Sequence, residues 1–275
     1  MKTAKPQTIS IIGGRGKMGS IFAEGFIEEG YTVLVSNANC TNNIELAEKG
    51  DVIIVSVPLK KTKEVIKQIG SHIRKEALLT DFASVKIKPV AAMIKYSQAE
   101  IIGGHPLFGP DAELYGQNMI LCPARGDEYI SWYKTALESL GMQVTLMSPE
   151  EHDKTMAAVQ CLTYISNISF AYALTEMGYT SIPENAAAPT YLLRLSSAAR
   201  MLAQDPSLYA EILSENPFAE KALQAYSEAV EKVSSLMQKP EKNGLERLLH
   251  SIRKDFNRPD LQRNLQRKVV KIMNG

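Results

Sequence analysis

The chain holds four histidines, His72, His105, His152 and His250, and the setting of one of them points to chemistry. His105 stands in the run Gly103-Gly104-His105-Pro106-Leu107-Phe108-Gly109-Pro110, where glycine and proline fix the backbone on either side. An imidazole with an ordinary pKa near neutrality is suited to engage an alcohol proton while hydride leaves the same carbon. A second polar run, Asp81-Phe82-Ala83-Ser84-Val85-Lys86, adds the hydroxyl of Ser84. Both runs end short apolar segments, so both are expected to point into one cleft. His72 and His250 lie in polar helical segments and read as solvated, and His152 as a helix N-terminal residue with a packing or hydrogen-bonding role.

A hydride needs an acceptor, and the start of the chain supplies a place for one. Ile9-Ser10-Ile11-Ile12 runs into Gly13-Gly14-Arg15-Gly16-Lys17-Met18-Gly19, a G-x-G-x-x-G counted on Gly14, Gly16 and Gly19, with an amphipathic stretch immediately after it. In that order Gly14 makes the turn, Gly16 admits a pyrophosphate and Gly19 lets the helix pack closely, while the helix N-terminus faces the phosphates. Arg15, Lys17 and Met18 belong to the same loop. About 20 residues on, where an acid would hold the ribose 2′-hydroxyl of NAD, the chain reads Val35-Ser36-Asn37-Ala38-Asn39 with no carboxylate. Ser36 and Asn37 as donors, with Arg15 as a nearby cation, favour NADP, with NAD as the alternative. Ser56-Val57-Pro58, at the end of a further apolar run, should line the same crevice.

These residues require strands to carry them. Short β-branched runs at Thr8 to Ile12, Thr32 to Val35, Val52 to Val57, Leu78 to Thr80, Glu100 to Gly103, Met119 to Cys122 and Gln143 to Leu146 alternate with amphipathic stretches, the pattern of a doubly wound, mostly parallel α/β sheet. Of 17 glycines, only Gly178, Gly244 and Gly275 follow residue 148. From Ser148-Pro149-Glu150-Glu151, a helix start, the periodicity becomes helical: one long apolar helix from His152 to about Met177, then helices near Thr190 to Gln204, Ser207 to Asn216 and Ala219 to Gln238, and a last one ending near Met273. The expected division is a Rossmann domain over 1–148 and an all-helical domain over 149–275.

In five places the sequence resembles the prephenate and arogenate dehydrogenases of tyrosine biosynthesis: GGRGKMG at Gly13 to Gly19, DFASVK at Asp81 to Lys86, HPLFGP at His105 to Pro110, EEHD at Glu150 to Asp153, and ARMLAQDPSLY at Ala199 to Tyr209. The resemblance covers roughly residues 8 to 215. It implies an oxidative decarboxylation in which hydride leaves C4 of a cyclohexadienol and the ring carboxylate departs as carbon dioxide. The family's catalytic histidine falls on His105, which would bind and polarise the C4 hydroxyl, and its hydrogen-bonding serine falls on Ser84. The arginine that holds a substrate carboxylate falls on Arg200, a role for which a planar guanidinium is suited. Tyr164 stands where many relatives carry a histidine in the first long helix, and Gln204 belongs to the matched segment; both are candidate substrate contacts. The resemblance also implies a homodimer through the helical domain, and neither a fused mutase nor a regulatory domain is expected.

Composition narrows the partners. The 275 residues are 45% hydrophobic and 22% charged, and 31 basic residues against 30 acidic give a formal charge of +1, so no global field attracts nucleic acid or an anionic membrane. Residues 242–275 are locally basic and read as a solvated helix face. Cys40, Cys122 and Cys161 form neither a disulfide framework nor a metal site, and the chain shows no apolar signal segment or span. The expectation is a cytoplasmic enzyme acting on a small molecule. Two other readings share these features: a dehydrogenase of the 6-phosphogluconate and β-hydroxyacid type, which would call for a catalytic lysine in the first long helix, and a dinucleotide-sensing regulator, which would have no use for Ser84, His105 and Arg200.

Overall fold

The computed structural model describes residues 6–36, 42–238 and 243–256. Seven strands form one sheet in the order β2-β1-β3-β4-β5-β6-β7: β1 (Thr8–Ile12), β2 (Thr32–Ser36), β3 (Val52–Val55), β4 (Leu78–Asp81), β5 (Glu100–Pro106), β6 (Asn118–Arg125) and β7 (Gln143–Leu146). All neighbours are parallel except β5 and β6, which run antiparallel. The inner strands are apolar on both faces because helices cover both. Ile9 and Ile11 of β1, Val52 and Ile54 of β3, and Leu78 of β4 join Phe22 and Phe26 of α1 (Lys17–Glu28) and Tyr133 and Leu137 of α5 (Ile130–Ser139) on one side. Ile12, Ile53, Val55 and Leu79 face the other way, onto a core with Ala47 of α2 (Asn43–Lys49), Val65, Ile66 and Ile69 of α3 (Leu59–Ile69) and Val90 and Met93 of α4 (Ile87–Tyr96).

The strand order reverses beside β1: β2 lies on one side and β3 with all later strands on the other. That reversal opens a crevice at the carboxyl ends of β1 and β3. Phe22 ties α1 to the strand ends around the crevice. Its ring centre lies 4.3 Å from that of Phe82, just after β4, and 6.2 Å from that of Phe108, just after β5.

After β7 the expected helix start is present as a full capping box. Ser148 Oγ accepts the Glu151 N–H, and the Glu151 carboxylate accepts the Ser148 N–H, ahead of α6 (Pro149–Met156). The single long helix expected from His152 is instead three pieces: α6, a π-helical segment over Ala157–Leu162, and α7 (Thr163–Glu176). A π segment widens the turn by one residue, which apolar periodicity does not report. Further helices are α8 (Pro189–Leu202), α9 (Pro206–Glu215), α10 (Ala219–Gln238) and α11 (Gly244–Asp255). The helix end expected near Met273 lies outside the described residues.

The chain divides into two compact units, 1–157 with 210–218, and 158–209 with 219–275. The return of 210–218 to the first unit has visible causes: Glu211 pairs with Lys60 at 3.1 Å, Glu215 with Lys88 at 2.7 Å, and Asn216 Nδ2 donates to the Asp153 carbonyl at 2.9 Å. In the second unit α7 packs on α8, with Asn167 donating to Ser197 and Arg194 lying over the Phe170 ring. No described helix is long and apolar enough to cross a membrane.

Candidate active site

The nucleotide end is built from glycines. Gly13, at the end of β1, adopts a left-handed φ of +84°, and a Cβ there would lie 2.2 Å from the Ser56 carbonyl oxygen. The turn glycine is therefore Gly13 rather than Gly14, one residue earlier than the fingerprint count implies. Gly14 is needed for a different reason: its Cβ would lie 2.7 Å from Val35 of β2. A Cβ on Gly19 would come within 2.6 Å of the Gly13 carbonyl oxygen and 2.7 Å of Gly14 Cα, so α1 can start this close to the turn only with glycine there. Gly16 caps α1 without a side-chain hydrogen bond, which leaves the first amides of the helix to an anion. Lys17 and Met18 begin that helix. The result is a side-chain-free cradle of backbone N–H groups against Ser56, with Val57 and Pro58 continuing the wall toward α3, and it fits the pyrophosphate of a dinucleotide.

At the adenosine end the Arg15 N–H donates to the Ser36 carbonyl at 3.4 Å, which puts exposed Arg15 at the tip of β2. The Ser36 side chain departs from expectation. It is buried, and its hydroxyl donates to Asn43 Oδ1 at 2.6 Å, so its single proton is committed inside the fold rather than offered to a phosphate. Asn37 lies outside the described residues.

At the end of β5 lies a chain of buried polar groups. β5 runs four residues beyond its last pairing with β4 and carries His105 one residue before its end. His105 Nδ1 lies 2.8 Å from His152 Nε2, and His152 Nδ1 lies 2.8 Å from Asp153 Oδ1. The Asp153 carboxylate also accepts the Lys86 N–H on Oδ1 at 2.7 Å and the Ile87 N–H on Oδ2 at 3.0 Å. A carboxylate only accepts, so His152 Nδ1 carries the proton it shares with Asp153. Its Nε2 is then an acceptor, His105 Nδ1 must donate to it, and His105 Nε2 is the ring nitrogen that carries no proton. Burial above all, then the neighbouring His152 and Lys86, hold His105 well below its ordinary 6.5. His152 is lowered too, by burial, against the pull of Asp153. The His105 imidazole is thus neutral at pH 7, further from neutrality in pKa than the sequence suggests. Ser84 is half-buried in the segment between β4 and α4, two residues before Lys86.

His105 and Ser84 belong to the first unit; Arg200, Tyr164 and Gln204 belong to the second. Within that second unit an edge-on pair of rings joins Tyr164 of α7 and Tyr209 of α9, with centres 4.8 Å apart. Tyr209 Oη donates to Gln204 Oε1 at 3.0 Å. Burial, chiefly, pushes the Tyr164 phenol up to about 12, while the Arg200 charge pulls both phenols down. Both hydroxyls therefore remain protonated donors at neutral pH. Sequence reasoning missed Tyr209, Asp153 and the inward turn of His152. The EEHD segment carried the only signal, since adjacent His and Asp in the first turn of a capped helix invite a shared hydrogen bond.

Comparison with known proteins finds a family for both parts of the chain. Residues 27–146 match the family description "Prephenate dehydrogenase, nucleotide-binding domain", and residues 148–251 match "Prephenate dehydrogenase, dimerization domain". A probable arogenate/prephenate dehydrogenase of Methanocaldococcus jannaschii is 32% identical over 272 residues, covering 90% of this chain and 61% of its own. The T-protein of Enterobacter agglomerans is 32% identical over 238 residues, covering 83% of this chain and 64% of its own. The chain thus spans about three fifths of the length of these relatives. Among solved structures, a prephenate dehydrogenase of Aquifex aeolicus in complex with hydroxyphenyl propionate and NAD+ shares the fold, with a TM-score of 0.73 at 22% identity, covering 93% of this chain and 99% of that one.

Proposed function

The chain belongs to the prephenate dehydrogenase family, and we propose that it carries out the oxidative decarboxylation of prephenate or arogenate, yielding 4-hydroxyphenylpyruvate or tyrosine. The observation that carries this reading is the relay Asp153–His152–His105, which presents an unprotonated Nε2 at the end of β5. A nicotinamide dinucleotide held by Gly13, Gly14, Gly16 and Gly19 would supply a two-electron acceptor for the C4 hydride. His105 Nε2 accepts the hydrogen bond of the C4 hydroxyl and draws its proton as the C4–H bond breaks. The C1–carboxylate bond then breaks, its electron pair completes the aromatic ring, and the proton drawn toward His105 returns to the phenol oxygen. No proton is lost overall. His152 and Asp153 stabilise positive charge on His105 only while it forms, the condition for raising kcat. Ser84 would hydrogen-bond the same hydroxyl, Arg200 would hold a substrate carboxylate in a bidentate grip, and Tyr164 and Gln204 would contact the rest of the substrate.

NADP is the preferred cofactor. Arg15 stands at the tip of β2 and no acid occupies the Ser36 to Thr41 stretch, so a 2′-phosphate would meet a cation and no repulsion. With Ser36 engaged by Asn43, Arg15 carries this preference. Residues 148–251 would pair two copies into a homodimer, to be checked by light scattering. The deciding assay mixes purified protein with NADP or NAD and with prephenate or arogenate, and follows reduced nicotinamide. Turnover with a cyclohexadienol is expected, with the higher kcat/KM for NADP. No reduction with either substrate overturns the function, and a higher kcat/KM with NAD overturns the cofactor preference alone.

A further inference from the structure

Lys86 and Asp81 form a fully buried ion pair that the chemistry above does not use. As a source of stability such a pair is poor, since desolvating two charges costs about as much as their attraction returns. Its contacts are nonetheless specific. Asp81 Oδ1 accepts the Gly104 N–H at 3.2 Å, Asp81 Oδ2 accepts the Ala83 N–H at 3.0 Å, and the Lys86 ammonium donates both to Asp81 Oδ2 and to the Gly104 carbonyl. The two charges therefore grip both polar backbone groups of the residue immediately before His105. Gly104 has no room to escape this grip: a Cβ there would lie 2.6 Å from the Asp81 carbonyl oxygen and 2.8 Å from Met119 Cε. Lys86 also reaches the far end of the relay, because its backbone N–H is the donor to Asp153 Oδ1.

We propose, on the dehydrogenase reading above, that the buried Lys86–Asp81 pair is a positioning device for the reaction, locking the Gly104 peptide and so the His105 ring while placing a fixed cation beside the relay. Lys86 acts through His105 and need not touch substrate. Its ammonium opposes a proton on either imidazole and is among the causes that hold both low. The other ionisable groups around the relay come from separate elements: Asp81 from β4, Cys122 from β6, and Asp153 from α6 beside His152 itself. The Cys122 thiol is pushed up to about 12 by burial and stays neutral, so Lys86 is the cation and Asp81 and Asp153 are the anions that set the local field.

The test compares the parent with Lys86→Met, which keeps the length of the side chain and removes its charge. Because that change leaves Asp81 without its cation, Lys86→Met combined with Asp81→Asn serves as a second variant, with neither charge of the pair and an oxygen still able to accept the Gly104 N–H. In both, kcat is expected to fall about a hundredfold while the substrate KM stays within about threefold. In the free protein, the NMR titration of the His105 imidazole is expected to move upward toward its ordinary value. A folded variant with kcat within about threefold of the parent, or with an unmoved His105 titration, overturns the proposal. If Lys86→Met does not fold, the double variant decides. A parent without turnover refutes the dehydrogenase reading instead, and the titration alone then decides whether the pair acts on His105.

Discussion

Asp153→Asn removes a charge without changing the shape of a fully buried side chain, and the hydrogen bonds around it dictate the outcome. Oδ1 receives two donors, the Lys86 N–H and His152 Nδ1–H, and Oδ2 receives the Ile87 N–H. An amide has one oxygen and one NH2, so one of the two sides must lose its acceptor. If the NH2 faces Ile87, a part-buried N–H meets a donor, and the expected loss of stability is about 1–3 kcal/mol. If the NH2 faces Lys86 and His152, that backbone penalty moves to Lys86 and His152 must reverse its tautomer. His152 Nε2 then carries a proton, His105 Nδ1 must accept it, and His105 Nε2 becomes protonated and can no longer take the substrate hydroxyl. Either orientation also removes the negative charge that steadies a developing imidazolium. Urea unfolding should show the 1–3 kcal/mol loss, and kcat should fall by about 10²–10⁴. Long-range proton–nitrogen NMR on the imidazoles reads the tautomers directly. A folded Asp153→Asn protein with kcat within about threefold of the parent would refute the relay.

His105→Asn should lose about 10²–10⁴ in kcat, with the cofactor Kd measured by fluorescence unchanged because no part of the glycine cradle is touched. Acid should destabilise the fold early. His105 and His152 are held below 6.5, so between that value and their folded pKa values the unfolded chain binds protons that the native chain does not, and stability falls as pH drops from about 6.5. Urea midpoints taken from pH 7.5 downward should therefore fall, less steeply in His105→Asn than in the parent. Phe22→Ala, at a fully buried ring between Phe82 and Phe108, should cost about 3–5 kcal/mol by thermal or urea unfolding. A loss under 1 kcal/mol would show that α1 is not what braces the two strand ends.

Local signals carried far in this chain. A strand that is apolar on both faces, a glycine that no side chain could replace, and a serine three residues before a glutamate are written within a few positions of one another. The seven strands accordingly lie where alternation placed them, and α6 starts at Ser148 as its capping box requires. The same locality explains the shortfalls. Fingerprint spacing assigned the turn to Gly14, whereas the left-handed residue is Gly13, because only the approach of Ser56, from another strand, decides which glycine must bend. Ser36 looked like a phosphate donor until Asn43 claimed its proton.

The sequence alone determined the nucleotide-binding sheet, the change to helices after residue 148, and His105 as the candidate base. Tertiary structure alone decided which groups that histidine meets. His105 and His152 are 47 residues apart, and Lys86 and Asp153 are 67 apart. Periodicity states that a helix has an inner face, but it does not state which polar side chain that face buries or what meets it there. His152 reads as an ordinary first-turn residue until β5 and α6 close on each other. At that point a buried donor must find an acceptor, and the chain of hydrogen bonds has one consistent order.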